Sequence, residues 1–124
     1  MPESPTEQTK RVVTTYYDAM NRKDPDAVLA LYTDETRIWV AGQGPYAGWQ
    51  KTSREGIEGF FAAFDIRFEI LDETIAGERA ALELTSKGTL QGKPYTNEYH
   101  NLLVVRDGRI AVLKEYFDTA LAGG

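Results

Sequence analysis

Tyr95-Thr96-Asn97-Glu98-Tyr99-His100-Asn101-Leu102-Leu103-Val104-Val105-Arg106-Asp107-Gly108-Arg109-Ile110-Ala111-Val112-Leu113-Lys114-Glu115-Tyr116-Phe117 decides how this chain folds. Asp107-Gly108 is a two-residue hairpin signal, because both positions tolerate the positive φ that a tight turn between twisted strands requires. The runs on either side are rich in β-branched and aromatic residues, which predicts strands over Tyr95–Arg106 and Arg109–Thr119. Working toward the N-terminus, Gln91-Gly92-Lys93 is a second turn. Before it, Leu82, Leu84 and Ser86 alternate with Glu83, Thr85 and Lys87 in a strand over Ala80–Leu90. Gly77-Glu78 is a third turn, and Ile66, Phe68 and Ile70 alternate with Arg67 and Glu69 ahead of it. The C-terminal half thus reads as a meander of four antiparallel strands.

Upstream of Ile66 the period changes from two to 3.6. Ile57, Phe60, Phe61 and Phe64 fall at i, i+3, i+4 and i+7, one face of a helix opened by a Thr52/Glu55 capping box. Gly42, Gly44, Pro45 and Gly48 mark a long loop, and Ile38-Trp39-Val40 is a short strand before it. Asp24-Pro25 starts a short helix that buries Val28, Leu31 and Tyr32. Ser4-Pro5-Thr6-Glu7 starts the first helix, whose apolar face is Val13, Tyr16, Tyr17 and Met20. Helices first and meandering strands after predict an α+β domain. Its expected extent is residues 6–120, with loose ends at 1–5 and 121–124.

At 124 residues the chain fits one domain with a core large enough to need no covalent staple. It has no cysteine, which excludes disulfides, zinc–thiolate sites and cysteine nucleophiles. The net charge of −5, with the basic residues scattered, argues against nucleic acid as a partner. No apolar run is long enough to span a membrane, and none follows a basic N-terminal stretch as in a signal peptide. A cytoplasmic location is expected. The lone His100 has no carboxylate partners at metal-ligand spacing, so no metal site is expected. Gly42-Gln43-Gly44 lacks the strand–helix context of a phosphate loop.

The element order, Asn21-Arg22-Lys23-Asp24-Pro25-Asp26, Gly44-Pro45-Tyr46-Ala47-Gly48, and Asp107-Gly108-Arg109-Ile110 leading into Lys114-Glu115-Tyr116-Phe117-Asp118 together resemble the nuclear transport factor 2-like superfamily. The likeness is to its SnoaL-like and ketosteroid isomerase-like branch and covers nearly the whole chain. It implies a cone-shaped roll: three N-terminal helices packed on a strongly curved, mainly antiparallel sheet that encloses one pocket. It also implies a homodimer, here through the outer face of the sheet. The superfamily contains both cofactor-free enzymes and noncatalytic binding modules, so the fold leaves both classes open.

Compared with the ketosteroid isomerases, Tyr16 falls at the oxyanion-hole tyrosine and Asn101 near the second oxyanion donor. Trp39 falls where those enzymes keep an aspartate base, and an indole cannot abstract a proton. Compared with the epoxide hydrolase branch, Lys114-Glu115-Tyr116-Phe117-Asp118 resembles its Arg-Asp-Tyr-Phe-Asp stretch. The Arg-x-Asp pair that branch uses is replaced by Leu82-Glu83-Leu84.

These comparisons leave Glu115 as the candidate acid or base, with Tyr16 and Asn101 stabilising negative charge on a carbonyl oxygen. Alternation groups Glu115 with Leu113 and Phe117, but Ile110 and Val112 make the other face apolar too, so its direction stays open. Asn97, Tyr99 and Asn101 share one strand face as a polar patch. The expected pocket lining is Trp39, Phe60, Phe64, Leu84, Asn97, Tyr99, Leu113 and Phe117, with Trp49 as a lid. Asp118 is expected to pair with an arginine. The ligand would be a small apolar or aromatic molecule handled without a cofactor, by an isomerase, cyclase or dehydratase or by a binding module.

Overall fold

The structure is a computed structural model that describes residues 2–122; the expected loose ends at Met1 and at Gly123 and Gly124 lie outside the described residues. Helix α1 (Pro5–Arg22) begins on the reciprocal cap its sequence encodes. The Ser4 hydroxyl accepts from the Glu7 N–H at 3.1 Å, and the Glu7 carboxylate accepts from the Ser4 N–H at 2.9 Å. Lys23 ends it in the left-handed conformation. Asp24 caps α2 (Pro25–Leu29) by accepting from the Ala27 N–H at 3.1 Å.

Tyr32, assigned from its spacing to the second helix, instead opens strand β1 (Tyr32–Val40). Thr36 explains the change. Its buried hydroxyl donates to the Ile110 carbonyl at 2.6 Å and accepts from the Thr33 N–H at 2.7 Å, closing a bulge between Tyr32 and Arg37. Strand β2 (Gly48–Lys51) emerges from the glycine loop and pairs antiparallel with β1. Helix α3 (Arg54–Ala63) is capped by Ser53, whose hydroxyl accepts from the Gly56 N–H at 2.9 Å, and not by the expected Thr52. Phe64 caps α3 in extended conformation and begins strand β3 (Phe64–Ala76). Strands β4 (Arg79–Leu90), β5 (Lys93–Arg106) and β6 (Arg109–Phe117) follow as the meander read from the sequence. Asp107 and Gly108 carry the positive φ their turn requires.

The six strands form one open sheet in the order β2-β1-β6-β5-β4-β3. All pairs are antiparallel except β1 with β6. The expected block of three N-terminal helices is therefore interrupted, because β1 and β2 come before α3. Register shifts in β1/β6, β3/β4 and β5/β6 bend long strands that would otherwise twist apart. Gly88 permits a close approach of β4 to β3, where a Cβ would lie 2.8 Å from the Ile66 Cα.

Helix α1 is fastened along the sheet at both ends. Near its start, Thr9 donates to the Gly77 carbonyl at 2.6 Å, and Thr6 accepts from the Gly77 N–H at 2.9 Å. At its end, the Asn21 amide donates to the Phe68 carbonyl at 3.0 Å and accepts from the Phe68 N–H at 2.7 Å, as a paired strand would. Between these ties Val12, Val13, Tyr16, Tyr17 and Met20 pack on Leu82, Leu84, Leu103, Ile110 and Leu113 to form the core. Among the described residues no helix is long and apolar enough to cross a membrane.

Candidate functional site

Cross-strand register fixes which side chains share a face, because directly opposed residues point to the same side. Asn101 lies opposite Leu82 on β4 and Glu115 on β6, and Glu115 lies beside Val40 on β1. Leu82 and Asn101 are buried in the helix-covered core, so Glu115 faces inward too. The flanking rows, Leu84–Tyr99–Phe117 and Ala80–Leu103–Leu113–Ile38, belong to the same inner surface. The direction of Glu115, open from the sequence, is set by this register.

No side-chain hydrogen bond reaches the Glu115 carboxyl among the described residues, and burial is the cause that raises its pKa from the ordinary 4.5 to about 7. Yet no sealed polar side-chain atom among those residues lacks a partner. The carboxyl oxygens therefore keep contact with open space, and Glu115 as a whole is half-buried. Protein surrounds most of the group, but neither surface cleft described below borders it, so the single enclosed pocket expected from the resemblance is not seen around Glu115.

Four phenols stand around this carboxyl. Tyr16 and Tyr32 share a hydrogen bond of 3.0 Å between their hydroxyls. Asn101 donates to the Tyr17 hydroxyl at 3.0 Å and accepts from the Tyr116 N–H at 3.3 Å. The Tyr99 hydroxyl is 2.7 Å from that of Ser86. Burial is the main reason all four phenols are pushed to higher pKa, and the negative charge of Glu115 adds to it in each case. They remain protonated donors at any physiological pH. Spacing had put Tyr17 and Tyr32 in the apolar core only. Helical periodicity shows that a tyrosine points inward but carries no information about which distant strand its hydroxyl meets.

Other expected site residues are placed differently. Trp39 pairs with Lys114 and with Trp49 on the opposite, outer face of the sheet, because one step along a strand reverses a side chain. There Arg37 lies over the Trp49 ring at 4.1 Å and Lys114 over Trp39 at 5.1 Å. Neither tryptophan lies on the inner face of the sheet. Asn97 does face inward, but its amide is used within the fold. It donates to the Tyr95 hydroxyl and the Asp118 carbonyl, and accepts from the N–H groups of Glu98 and Asp118. Among the described residues Asp118 forms no arginine pair; its carboxylate accepts from the Ala120 N–H. Leu84 and Leu113 are buried in the core. Phe60 and Phe64 stack at 4.7 Å, and Phe64 meets Tyr95 edge-on at 5.5 Å. No residue of α3 is fully buried, so its aromatic face stays partly open. His100 is exposed on the outer face.

Two surface clefts, of about 470 and 280 Å3, lie away from Glu115. The first is lined by Asp34, Glu35, Thr36 and Arg37 of β1 and Trp49, Gln50 and Lys51 of β2, the second by residues that include Asn97 and Asp118. Among the described residues no group of three or more acidic or histidine side chains is arranged to hold a metal ion.

Comparison with known proteins agrees with this architecture. UPF0523 protein B of Dictyostelium discoideum is 28% identical over 120 residues, covering 86% of this chain and 74% of that protein. The structure of PrhC from Penicillium brasilianum superposes with a TM-score of 0.84 at 20% identity, over 97% of this chain and 86% of that one. An LEH-like epoxide hydrolase from M. tuberculosis superposes with a TM-score of 0.77 at 18% identity, over 94% and 86%. At these identities the structural likenesses establish the fold alone. The family model for the SnoaL-like domain matches residues 13–113, from the middle of α1 to the middle of β6, a span that includes Asn101 and stops short of Glu115, and the chain belongs to that family.

Proposed function

We propose that the concave face of the sheet binds a small apolar carbonyl compound and that Glu115 acts on it as a general acid–base. The observation that carries this reading is the unpartnered Glu115 carboxyl, raised by burial to about 7 and ringed by four protonated phenols. A carboxyl poised near neutral pH exchanges a proton efficiently in either direction. With a ligand oxygen held by phenolic donors, Glu115 takes a proton from the carbon beside the carbonyl, and the electron pair moves onto that oxygen as an enolate. Returning the proton at another carbon completes an isomerisation; expelling a hydroxyl group as water, with that proton, completes a dehydration. Neither route needs a cofactor. The half-exposed rings of Phe60, Phe61 and Phe117 supply apolar contact for the ligand body.

The likeness to an epoxide hydrolase does not favour that chemistry here. Leu82 and Leu84, where the resemblance would require an Arg-x-Asp pair, are core residues, and Glu83 between them faces outward. A noncatalytic pocket of the same shape would need no ionisable floor.

The test uses 2-naphthol, a planar weak acid that mimics an enol, followed by its fluorescence. The protein should bind it, and Glu115→Gln should remove the dependence of binding on pH between 6 and 8 while keeping affinity. Absence of binding, or an unchanged pH profile in the variant, contradicts the reading.

We also propose that the outer face joins two copies of the chain. Trp49 is 47% and Tyr116 42% exposed. Trp39 meets Tyr116 at a tilt, with ring centroids 4.9 Å apart, with Arg37 and Lys114 beside these rings and Glu83 and His100 further along the same face. A face carrying both charges beside an aromatic centre is self-complementary across a two-fold axis.

A further inference from the structure

The open sheet has two edges of unequal length. Strand β2 offers four residues and β3 thirteen. A long free edge is a template for another strand, because its outward N–H and C=O groups have no partner strand. On β3 these groups are met from α1 and the residue that ends it. The Asn21 amide accepts from the Phe68 N–H at 2.7 Å and donates to the Phe68 carbonyl at 3.0 Å. Lys23 donates to the Ile66 carbonyl at 3.3 Å and pairs with Asp65 at 3.0 Å. At the far end, Thr6 accepts from the Gly77 N–H and Thr9 donates to the Gly77 carbonyl. Between these ties the bulge at Leu71 bends the edge, and Asp72 and Glu73 place charge on it.

The stretch held by Asn21 and Lys23 is complementary to itself. Ile66-Arg67-Phe68-Glu69-Ile70 runs apolar, basic, apolar, acidic, apolar. Laid antiparallel on a second copy with Phe68 opposite Phe68, it sets Arg67 opposite Glu69 and Ile66 opposite Ile70. A two-fold axis repeats both matches. Phe68 also has the backbone direction that the centre of such a pair needs. Its N–H and C=O point away from β4, toward Asn21, so two Phe68 residues facing each other would exchange both bonds. Arg67 and Glu69 are exposed, with their charges at the surface where a second copy would meet them.

We propose that Ile66–Ile70 is a latent pairing edge for a second copy of the chain, and that Asn21 keeps it shut by standing in for the absent strand. An asparagine side chain carries the same donor and acceptor as a peptide unit, so it ends the sheet without leaving those groups bare. The edge lies at the opposite end of the sheet from β2 and β1, which carry Trp49 and Trp39. Pairing through one surface therefore does not depend on the other.

The experiment compares sedimentation of wild type at micromolar concentration with that of Asn21→Leu, in which the side chain keeps its size and loses its hydrogen bonds. Asn21→Leu should sediment at about twice the wild-type mass or more, since each copy gains one isologous surface. Adding Arg67→Glu sets like charges opposite each other and should return the wild-type mass. Adding Glu69→Arg as well restores the match and should restore the association. Asn21→Ala is carried alongside, so that a leucine that fails to pack does not decide the outcome. In wild type, the Phe68 amide should exchange with solvent roughly tenfold more slowly than the Ile70 amide, which lies two residues on along the same edge without a partner on α1. A folded Asn21→Leu or Asn21→Ala of wild-type mass overturns the proposal. So does association that survives Arg67→Glu, a charge swap that fails to restore it, or a Phe68 amide that exchanges as fast as that of Ile70.

Discussion

Glu115 costs the fold something, and the sign of that cost follows from its surroundings. Burial raises its pKa from the ordinary 4.5 to about 7, so between these values the folded chain keeps the proton and the unfolded chain releases it. Stability therefore falls as pH rises from about 4.5 to about 7 and is level above that. A shift of this size corresponds to about 3 kcal/mol withheld from the folded state at pH 8. Glu115→Gln has no charge to bury. Urea unfolding should show it more stable than wild type by about 2–3 kcal/mol at pH 8 and nearly equal at pH 4.5. An equal difference at both pH values would show that the carboxyl is not under this strain. Stability given up at one residue in this way is common at sites that act on ligands.

At the level of elements, the sequence was legible wherever the signal was local. Ser4/Glu7 and Asp24 cap their helices as read, and the Asp107-Gly108 turn joins β5 to β6; the bulge beyond it, between Val104 and Val105, shifts the register by one and places Asn101 opposite Glu115 instead of Lys114. Leu82, Leu84 and Ser86 face the core as their alternation required. The failures arose where tertiary contact overrides local pattern. Tyr32 has helical spacing but is drawn into β1 by Thr36, whose partner Ile110 is 74 residues away. Phe64 continues a helical face by spacing but pairs with Leu90 as strand. The resemblance implies an inner position for Trp39, whereas the register of β1 against β6 puts it outside. The candidate site was half legible: Glu115, Tyr16, Tyr99 and Asn101 were named, whereas the Tyr17–Asn101 and Tyr16–Tyr32 bonds join elements that no sequence window spans.

The whole molecule presents two faces of different character. Helices cover the inner face of the sheet, and strands β2, β1 and β6 carry an outer face on which Trp39, Trp49 and Tyr116 gather beside Arg37 and Lys114. Covering this surface with a second copy would bury the aromatic centre and leave the charges at the rim. Sedimentation at micromolar concentration should give a dimer. Trp49→Glu, which places a carboxylate in that centre, should weaken it by more than tenfold without disturbing the inner face. A wild-type chain that sediments as a monomer at about 10 μM contradicts the proposed pairing.

The ionisation of Glu115 can be measured directly. In protein labelled with glutamate 13Cδ, with Glu115→Gln used to assign the resonance, the Glu115 signal should titrate with a midpoint near 7. A midpoint near 4.5 would mean that water or a hydrogen-bond donor reaches the carboxylate freely, and the acid–base role assigned to it would fall.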